Sequence, residues 1–302
     1  MATTASDAIY PRALPEWIRV RPPTGHLYPE VRALLARHRL GTVCQEARCP
    51  NLSECWSAGT ATLMLLGTDC TRRCPFCAVN THWPHGAVDR TEPERVAEAV
   101  REWGLRYVVL TMVCRDDLED GGASVLAETV RSIRARCPGT LIELLIGDLS
   151  GREASLRTVV DAAPDVLAHN LETVRRISPE ARDHRAGYDQ SLAVLHQSKR
   201  LAAGTLVTKS SLMLGLGETA DELAIAFEDL RKADVDLLTL GQYLRPSAAH
   251  APVVRYPTPE EFGALREAAL ARGFSGVESG ALVRSSYRAE ELYRSAVGPR
   301  KA

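Results

Sequence analysis

Apolar residues in this 302-residue chain gather into short runs that alternate with longer amphipathic stretches. Six runs are strand-like: TLMLLG (62–67), RYVVLTMV (106–113), TLIELLIG (140–147), DVLAHNLE (165–172), TLVTKSSLMLG (205–215) and VDLLTLGQY (235–243). Helical patterns lie between and after them: PERVAEAVREWG, ASVLAETVRSIRARC, EASLRTVVDAA, SLAVLHQSKRLAAG, ADELAIAFEDLRKAD and PEEFGALREAALARG. Several end at Gly or begin after Asp, Ser or Thr-Pro, as helix boundaries do. Strands alternating with helices predict a parallel sheet with crossover helices. Six units fall short of the eight that close a barrel. A doubly wound sheet fits the alternation equally well.

Ahead of these units the pattern is weaker. Residues 1 to about 15 read as a loose tail. A proline-rich turn, Arg21-Pro22-Pro23-Thr24-Gly25, then leads into a short helical pattern, VRALLARHRL. The next segment contains Pro and Asn and reads as irregular. Composition narrows the class. The chain is 45% hydrophobic and 25% charged, so a core of ordinary size is within reach without disulfide staples. With 37 basic and 38 acidic residues, the charge gives no case for nucleic acid or an anionic membrane as partner. No apolar run approaches a membrane span, and MATTASDAIYPRALPEW lacks the apolar core of a secretory signal. A reducing cytoplasm is the expected location for metal-binding thiols.

The cysteines change the picture most. Six of the eight fall in two triplets, Cys44-x4-Cys49-x5-Cys55 and Cys70-x3-Cys74-x2-Cys77. Structural zinc usually takes four protein ligands. Three thiolates instead suit a four-iron cluster with one iron left for another ligand. The second triplet begins just after the first strand. In parallel α/β folds chemistry gathers at such strand ends. Arg115-Asp116-Asp117, His169-Asn170-Leu171-Glu172 and Gly215-Leu216-Gly217-Glu218 follow later strands and should share that rim. Cys114 at the second strand end reads as a small semi-buried residue, with a seventh metal-proximal thiol as the alternative; its spacing argues for no triplet, and Cys137 at a helix end reads as structural. His82 and His85 read as solvated.

Cys70-x3-Cys74-x2-Cys77, with Phe76 before its last cysteine, resembles the signature of the radical S-adenosylmethionine (SAM) enzymes. That resemblance implies a partial (β/α)6 TIM-like barrel, here with N- and C-terminal extensions. It also implies SAM bound at the open iron and cleaved to a deoxyadenosyl radical. The stretch TVCQEARCPNLSECWSAGTATLMLLGTDCTRRCPFCAV, with NLETV, MLGLGET, LTLGQYLRPS, HAPVVRYPTPEEF and SGALVRSSYRAE, resembles the lipoyl synthase family from about Trp17 to Tyr293. Gln45, Ser211, Ala251 and Ala281 depart from that family's usual residues without removing a cysteine.

The family resemblance implies two [4Fe-4S] clusters and two SAM per product. Cys70, Cys74 and Cys77 would bind the SAM-cleaving cluster. Cys44, Cys49, Cys55 and a serine of Arg284-Ser285-Ser286-Tyr287 would bind a sacrificial one. By motif position the serine is Ser286 rather than Ser285. Arg284 would orient the serine or the substrate; an ordinary surface arginine is the alternative. Asn170, Glu172, Gly215 and Gly217 would line the SAM site; local turn capping is the alternative for Asn170 and Glu172. The implied reaction inserts sulfur at C6 and C8 of an octanoyl-lysine on a lipoyl carrier domain, that of a 2-oxoacid dehydrogenase E2 component or a glycine cleavage H protein. A flavodoxin or ferredoxin would supply electrons, and an iron–sulfur carrier would rebuild the cluster. Competing readings are a sulfur-inserting relative acting on another aliphatic chain and a zinc-binding module. The expected organisation is residues 1–60 as an extension with the first triplet, 61–275 as the barrel, and 276–302 as an extension with the serine.

Overall fold

A computed structural model describes residues 14–19 and 27–297. Most of the proposed N-terminal tail and the turn at 21–25 lie outside these residues. The strands are β1 (Gly41–Thr42), β2 (Thr62–Leu65), β3 (Asp69–Cys70), β4 (Asn80–Thr81), β5 (Tyr107–Met112), β6 (Leu141–Leu145), β7 (Val166–Ala168), β8 (Val207–Leu214), β9 (Leu237–Gln242) and β10 (Gly276–Gly280). The helices are α1 (Leu27–Arg37), α2 (Val43–Glu46), α3 (Leu52–Ser57), α4 (Glu92–Trp103), α5 (Ala123–Arg136), α6 (Glu153–Val160), α7 (Ser178–Ala181), α8 (Tyr188–Leu201), α9 (Ala220–Lys232), α10 (Pro259–Leu270) and α11 (Ala289–Val297).

One sheet runs β1-β2-β5-β6-β7-β8-β9-β10, and it stays open, with β1 and β10 at its edges. All neighbours from β2 to β10 are parallel; β1 alone is antiparallel to its partner. Each of the six expected strands is present and is followed by at least one helix, which is the six-unit partial barrel. The doubly wound alternative does not hold.

Three local differences have physical reasons. β10 adds a seventh parallel strand, so the sheet reaches past residue 275. The fourth run breaks at Ala168, and Glu172 touches β8 only through a bridge to Leu212. The segment read as irregular holds two short helices. The first is capped by Thr42, whose side-chain oxygen accepts from the Gln45 amide.

Two large apolar clusters, and a small one of Leu141, Val166 and Tyr293, fill the molecule. The larger packs α1, α4, α5 and α6 on β2, β5 and β6 around Trp56, Leu63, Leu110 and Leu144. The second packs α9 and α10 on β8 and β9 around Phe227, Leu240 and Phe262. Where β5 to β8 meet, a polar group is buried instead. Lys209 Nζ donates to Glu143 Oε1 at 2.7 Å, reaching across β7, and Tyr107 OH donates to the other carboxylate oxygen at 2.7 Å. Tyr293 of α11 lies on Tyr107, with ring centres 6.0 Å apart. The last helix therefore docks onto the sheet and fixes the chain that precedes it.

Candidate functional site

The second triplet occupies the loop after β2. A two-stranded ladder of β3 and β4 frames it, and the Cys77 amide donates to Cys74 O at 2.9 Å. Backbone N–H groups point at the sulfurs. Arg72 N donates to Cys70 Sγ at 3.4 Å, and Asp183 N donates to Cys74 Sγ at 3.3 Å. The Val79 amide serves Cys77 in the same way. Such donors stabilise thiolate sulfur once a cation draws the proton away. Without one, burial pushes Cys74 up to about 11 and Cys77 up to about 12.

Charged side chains lock this loop. The Arg72 guanidinium, between Cys70 and Cys74 in sequence, is buried between two carboxylates. It donates to Asp148 at 2.6 and 2.8 Å and to Asp116 at 2.8, 3.0 and 3.2 Å. Asp183 accepts from the Arg73 amide at 2.8 Å, and Arg185 donates to Asp183 and to Thr71 O, each at 2.8 Å. Asp116 comes from the expected rim. Asp148, Asp183 and Arg185 were not foreseen, and the last two lie between α7 and α8. Cys114 is half-buried at the strand end, and it also meets the second triplet. Its thiol hydrogen-bonds to Cys70, which draws the Cys70 thiol down to about 7. Cys137 caps the end of α5, and His82 and His85 are exposed, as expected.

The residues expected around SAM follow β7 and β8. The buried Asn170 Oδ1 has no hydrogen-bond partner. Burial raises the Glu172 carboxyl, while Arg182 and Asn170 draw it back. Glu172 feels Cys74 and Cys77 electrostatically, so it stands near the second triplet. Gly215 and Gly217 are left-handed, with φ of 98° and 105°. A Cβ on Gly215 would collide with the Gln242 amide and the Arg255 carbonyl. Glu218 closes this turn by accepting from the Gly215 and Leu216 amides at 2.7 and 2.9 Å. An unsatisfied acyl oxygen beside a tight glycine turn suits a ligand rich in hydroxyl and amine donors, as SAM is.

The first triplet lies at the open edge of the sheet. Cys44 is on α2, Cys49 follows it, and Cys55 is on α3. Burial raises Cys44 and pushes Cys55 up to about 12, with the neighbouring thiols adding to both. After β10, residues 281–287 cross from one sheet edge to the other as a strap. Asn51 donates to Leu282 O at 2.5 Å, and Tyr287 OH donates to Glu54 at 3.3 Å. The Val283 carbonyl presses on Gly241 of β9, where any Cβ would collide with it. Thr62, the first residue of β2, donates its hydroxyl to Ser286 Oγ at 2.8 Å, and its amide serves Cys44. Arg284 turns onto Val283 O at 2.7 Å; burial lowers its pKa, and the nearby Cys49 offsets that. Within each triplet the thiols influence one another. Among the described residues, however, no three His, Cys, Asp or Glu side chains converge tightly enough for a single metal ion.

The radical SAM superfamily model matches residues 64–230. A lipoyl synthase from Halorhodospira halophila is 57% identical over 281 residues, covering 93% of this chain and 84% of that protein. Another from Thermus thermophilus is 54% identical over 285 residues, covering 94% and 88%. The chain belongs to the lipoyl synthase family. Membership brings SAM and [4Fe-4S] clusters as cofactors, and an enzyme of the radical SAM sulfur-inserting type. Among solved structures, methylornithine synthase (PylB) aligns with a TM-score of 0.54 at 14% identity, covering 83% of this chain and 74% of that one. HydG, a maturase of the [FeFe]-hydrogenase, aligns with a TM-score of 0.56 at 12% identity, covering 89% and 69%. These two share the fold with this lipoyl synthase family member.

Proposed function

We propose that this chain is a radical SAM sulfurtransferase that inserts two sulfur atoms, at C6 and C8, into an octanoyl chain on a lysine of a lipoyl carrier domain. One observation carries the reading beyond the family. The strap brings Ser286 to the first triplet, where Thr62 holds both Cys44 and Ser286. Three thiols and one hydroxyl would then share one site. Cys44, Cys49, Cys55 and Ser286 would hold the sacrificial cluster. Cys70, Cys74 and Cys77 would hold the SAM-cleaving cluster and leave one iron for SAM. When bound, the latter supplies the electron that cleaves SAM and the former supplies sulfide.

The protein's part is ligation, orientation and exclusion of water. Oxygen from Ser286 is harder than thiolate and suits iron less well, so it can be given up. Arg284, half-buried near Cys49, holds the strap and would set a positive charge against the thiolates. Asn170, Glu172, Gly215 and Gly217 are assigned to SAM. His250 donates to Cys77 O at 3.2 Å and the Ala251 amide to Pro75 O at 2.9 Å, so this loop covers the second triplet. A shielded site suits a radical that must meet only its substrate. The carbons attacked are unactivated, so no general base is required.

The organisation proposed is an N-terminal extension (1–60), a barrel (61–275) and a C-terminal extension (276–302). The boundaries mark ligand sets, since the sheet continues through β1 and β10. A flavodoxin or ferredoxin is proposed as electron donor, an iron–sulfur carrier as the source of repair, and the cytoplasm as location. No helix among the described residues is long and apolar enough to cross a membrane. The test separates the two ligand sets. Alanine at Cys70, Cys74 and Cys77 should abolish SAM cleavage. Alanine at Cys44, Cys49 and Cys55 should leave SAM cleavage and abolish sulfur insertion into an octanoyl-lysyl peptide. Sulfur insertion that survives the second set of changes would overturn the assignment.

A further inference from the structure

Thr62 reaches both halves of the proposed sacrificial site. Its side chain is 5% exposed. β2 holds its backbone through the pairing of Thr62 with Val109. Its hydroxyl therefore has little freedom to turn elsewhere, and it donates to Ser286 Oγ at 2.8 Å. Ser286 arrives from 224 residues away in sequence on a strap held by Asn51, Gly241 and Glu54. An irregular strap alone would leave the short serine side chain its usual choice of rotamers. A single buried donor narrows that choice.

We infer that Thr62 is a positioning residue for the serine ligand: its hydroxyl aims Ser286 Oγ at the first triplet and stabilises the oxygen when it binds iron. The inference rests on the assignment of Ser286 as an iron ligand. On ligation the serine proton is released, as ligand protons are when metals bind. The oxygen then carries negative charge, and the Thr62 hydroxyl becomes a charge-assisted donor to it. While Ser286 is not bound to iron, the same hydrogen bond keeps it in place for the next cluster. Thr62 touches the serine, not the substrate or SAM, so it acts through its neighbour.

The test uses full-length enzyme carrying both clusters, with saturating SAM and no reductant, so that the open iron of the SAM-cleaving cluster is ligated and the signal reports the first triplet. Wild type, Thr62→Val, Thr62→Ala, Thr62→Ser and Ser286→Ala are exposed anaerobically to mild oxidant and an iron chelator. Loss of one iron is followed by the electron paramagnetic resonance signal of a three-iron cluster. Val and Ala remove the donor, and Ser keeps it. Thr62→Val and Thr62→Ala should speed the appearance of that signal about tenfold, the scale of one hydrogen bond to a charged acceptor. Thr62→Ser should stay near wild type, and Ser286→Ala should be at least as fast as Thr62→Val. A rate unchanged in both Thr62→Val and Thr62→Ala, with Ser286→Ala accelerated, would overturn the role of Thr62 and leave the ligand assignment standing. A rate unchanged in Ser286→Ala as well would overturn that assignment and this inference with it. Two donor-free variants guard against a packing defect peculiar to one of them.

Discussion

Asp148→Ala isolates the clamp on the SAM-cleaving loop. Asp148 and Arg72 are 1% and 5% exposed and meet through two hydrogen bonds of 2.6 and 2.8 Å. Removing one partner of a buried pair typically costs about 3–5 kcal/mol, because the other charge is left behind. Asp116 still faces the guanidinium, so the lower end applies, about 3 kcal/mol. For a chain of this size that lowers the melting temperature by about 5 °C. Arg72 precedes Cys74 by two residues, so the loop should also bind its cluster less well. The assay is thermal unfolding of metal-free protein, paired with iron content after reconstitution.

The acid limb adds a second reading. Burial alone would raise the Asp148 carboxyl, but the Arg72 hydrogen bonds and charge hold it below the usual aspartate value. A carboxylate depressed in this way stabilises the fold above its unfolded pKa, near 4, and loses that contribution as pH falls through its folded value. The variant should therefore lose less stability than wild type as pH falls below about 4. A melting point within about 1 °C of wild type at pH 7, with full iron content, would refute this reasoning.

Further outcomes follow from other buried groups. Burial, then the Arg182 charge, lowers His169 to about 4 against an ordinary 6.5, while its ring nitrogens engage Ile146 O and Ser191 Oγ at 2.9 Å. The neutral ring's contribution is complete above pH 6.5 and is lost towards about pH 4, so metal-free wild type should lose about 3 kcal/mol over that span, and His169→Gln should flatten it in urea titrations. Lys209→Met leaves Glu143 buried without its cation and should cost about 3–5 kcal/mol, while adding Glu143→Gln should recover much of the loss in the same titrations. Gly241→Ala drives a Cβ into the Val283 carbonyl and displaces the strap. It should deplete the sacrificial cluster, measured as iron content, while SAM cleavage continues.

The repeating units were legible because each helix has a clear apolar stripe and each central strand a dense apolar run. The strand β10 was not, because its sequence, Gly276 to Gly280, carries one large apolar residue, Val277. A Cβ on Gly276 would crowd Leu292 and Leu237, so close packing of the last helix removed the usual strand signal. The cysteine triplets announced metal chemistry through spacing alone. The side chains that hold them did not, since Arg72, Asp148 and Asp183 are ordinary charged residues until the fold brings them together. Asp183 sits in a polar turn between α7 and α8, yet its amide meets Cys74. Thr62 was hidden for a different reason. It sits in an apolar run as a normal β-branched strand residue, and only the strap from the far end of the chain gives it a partner.

The account rests on protein-held sulfide passing into an aliphatic chain. The direct measurement is a single-turnover anaerobic reaction of enzyme reconstituted with isotopically labelled sulfide, together with octanoyl-lysyl peptide, SAM, reductant and unlabelled sulfide in solution. Mass spectrometry of the peptide should show two sulfur atoms, both carrying the label. Product sulfur drawn from solution, or SAM cleavage with no sulfur in the peptide, would contradict it.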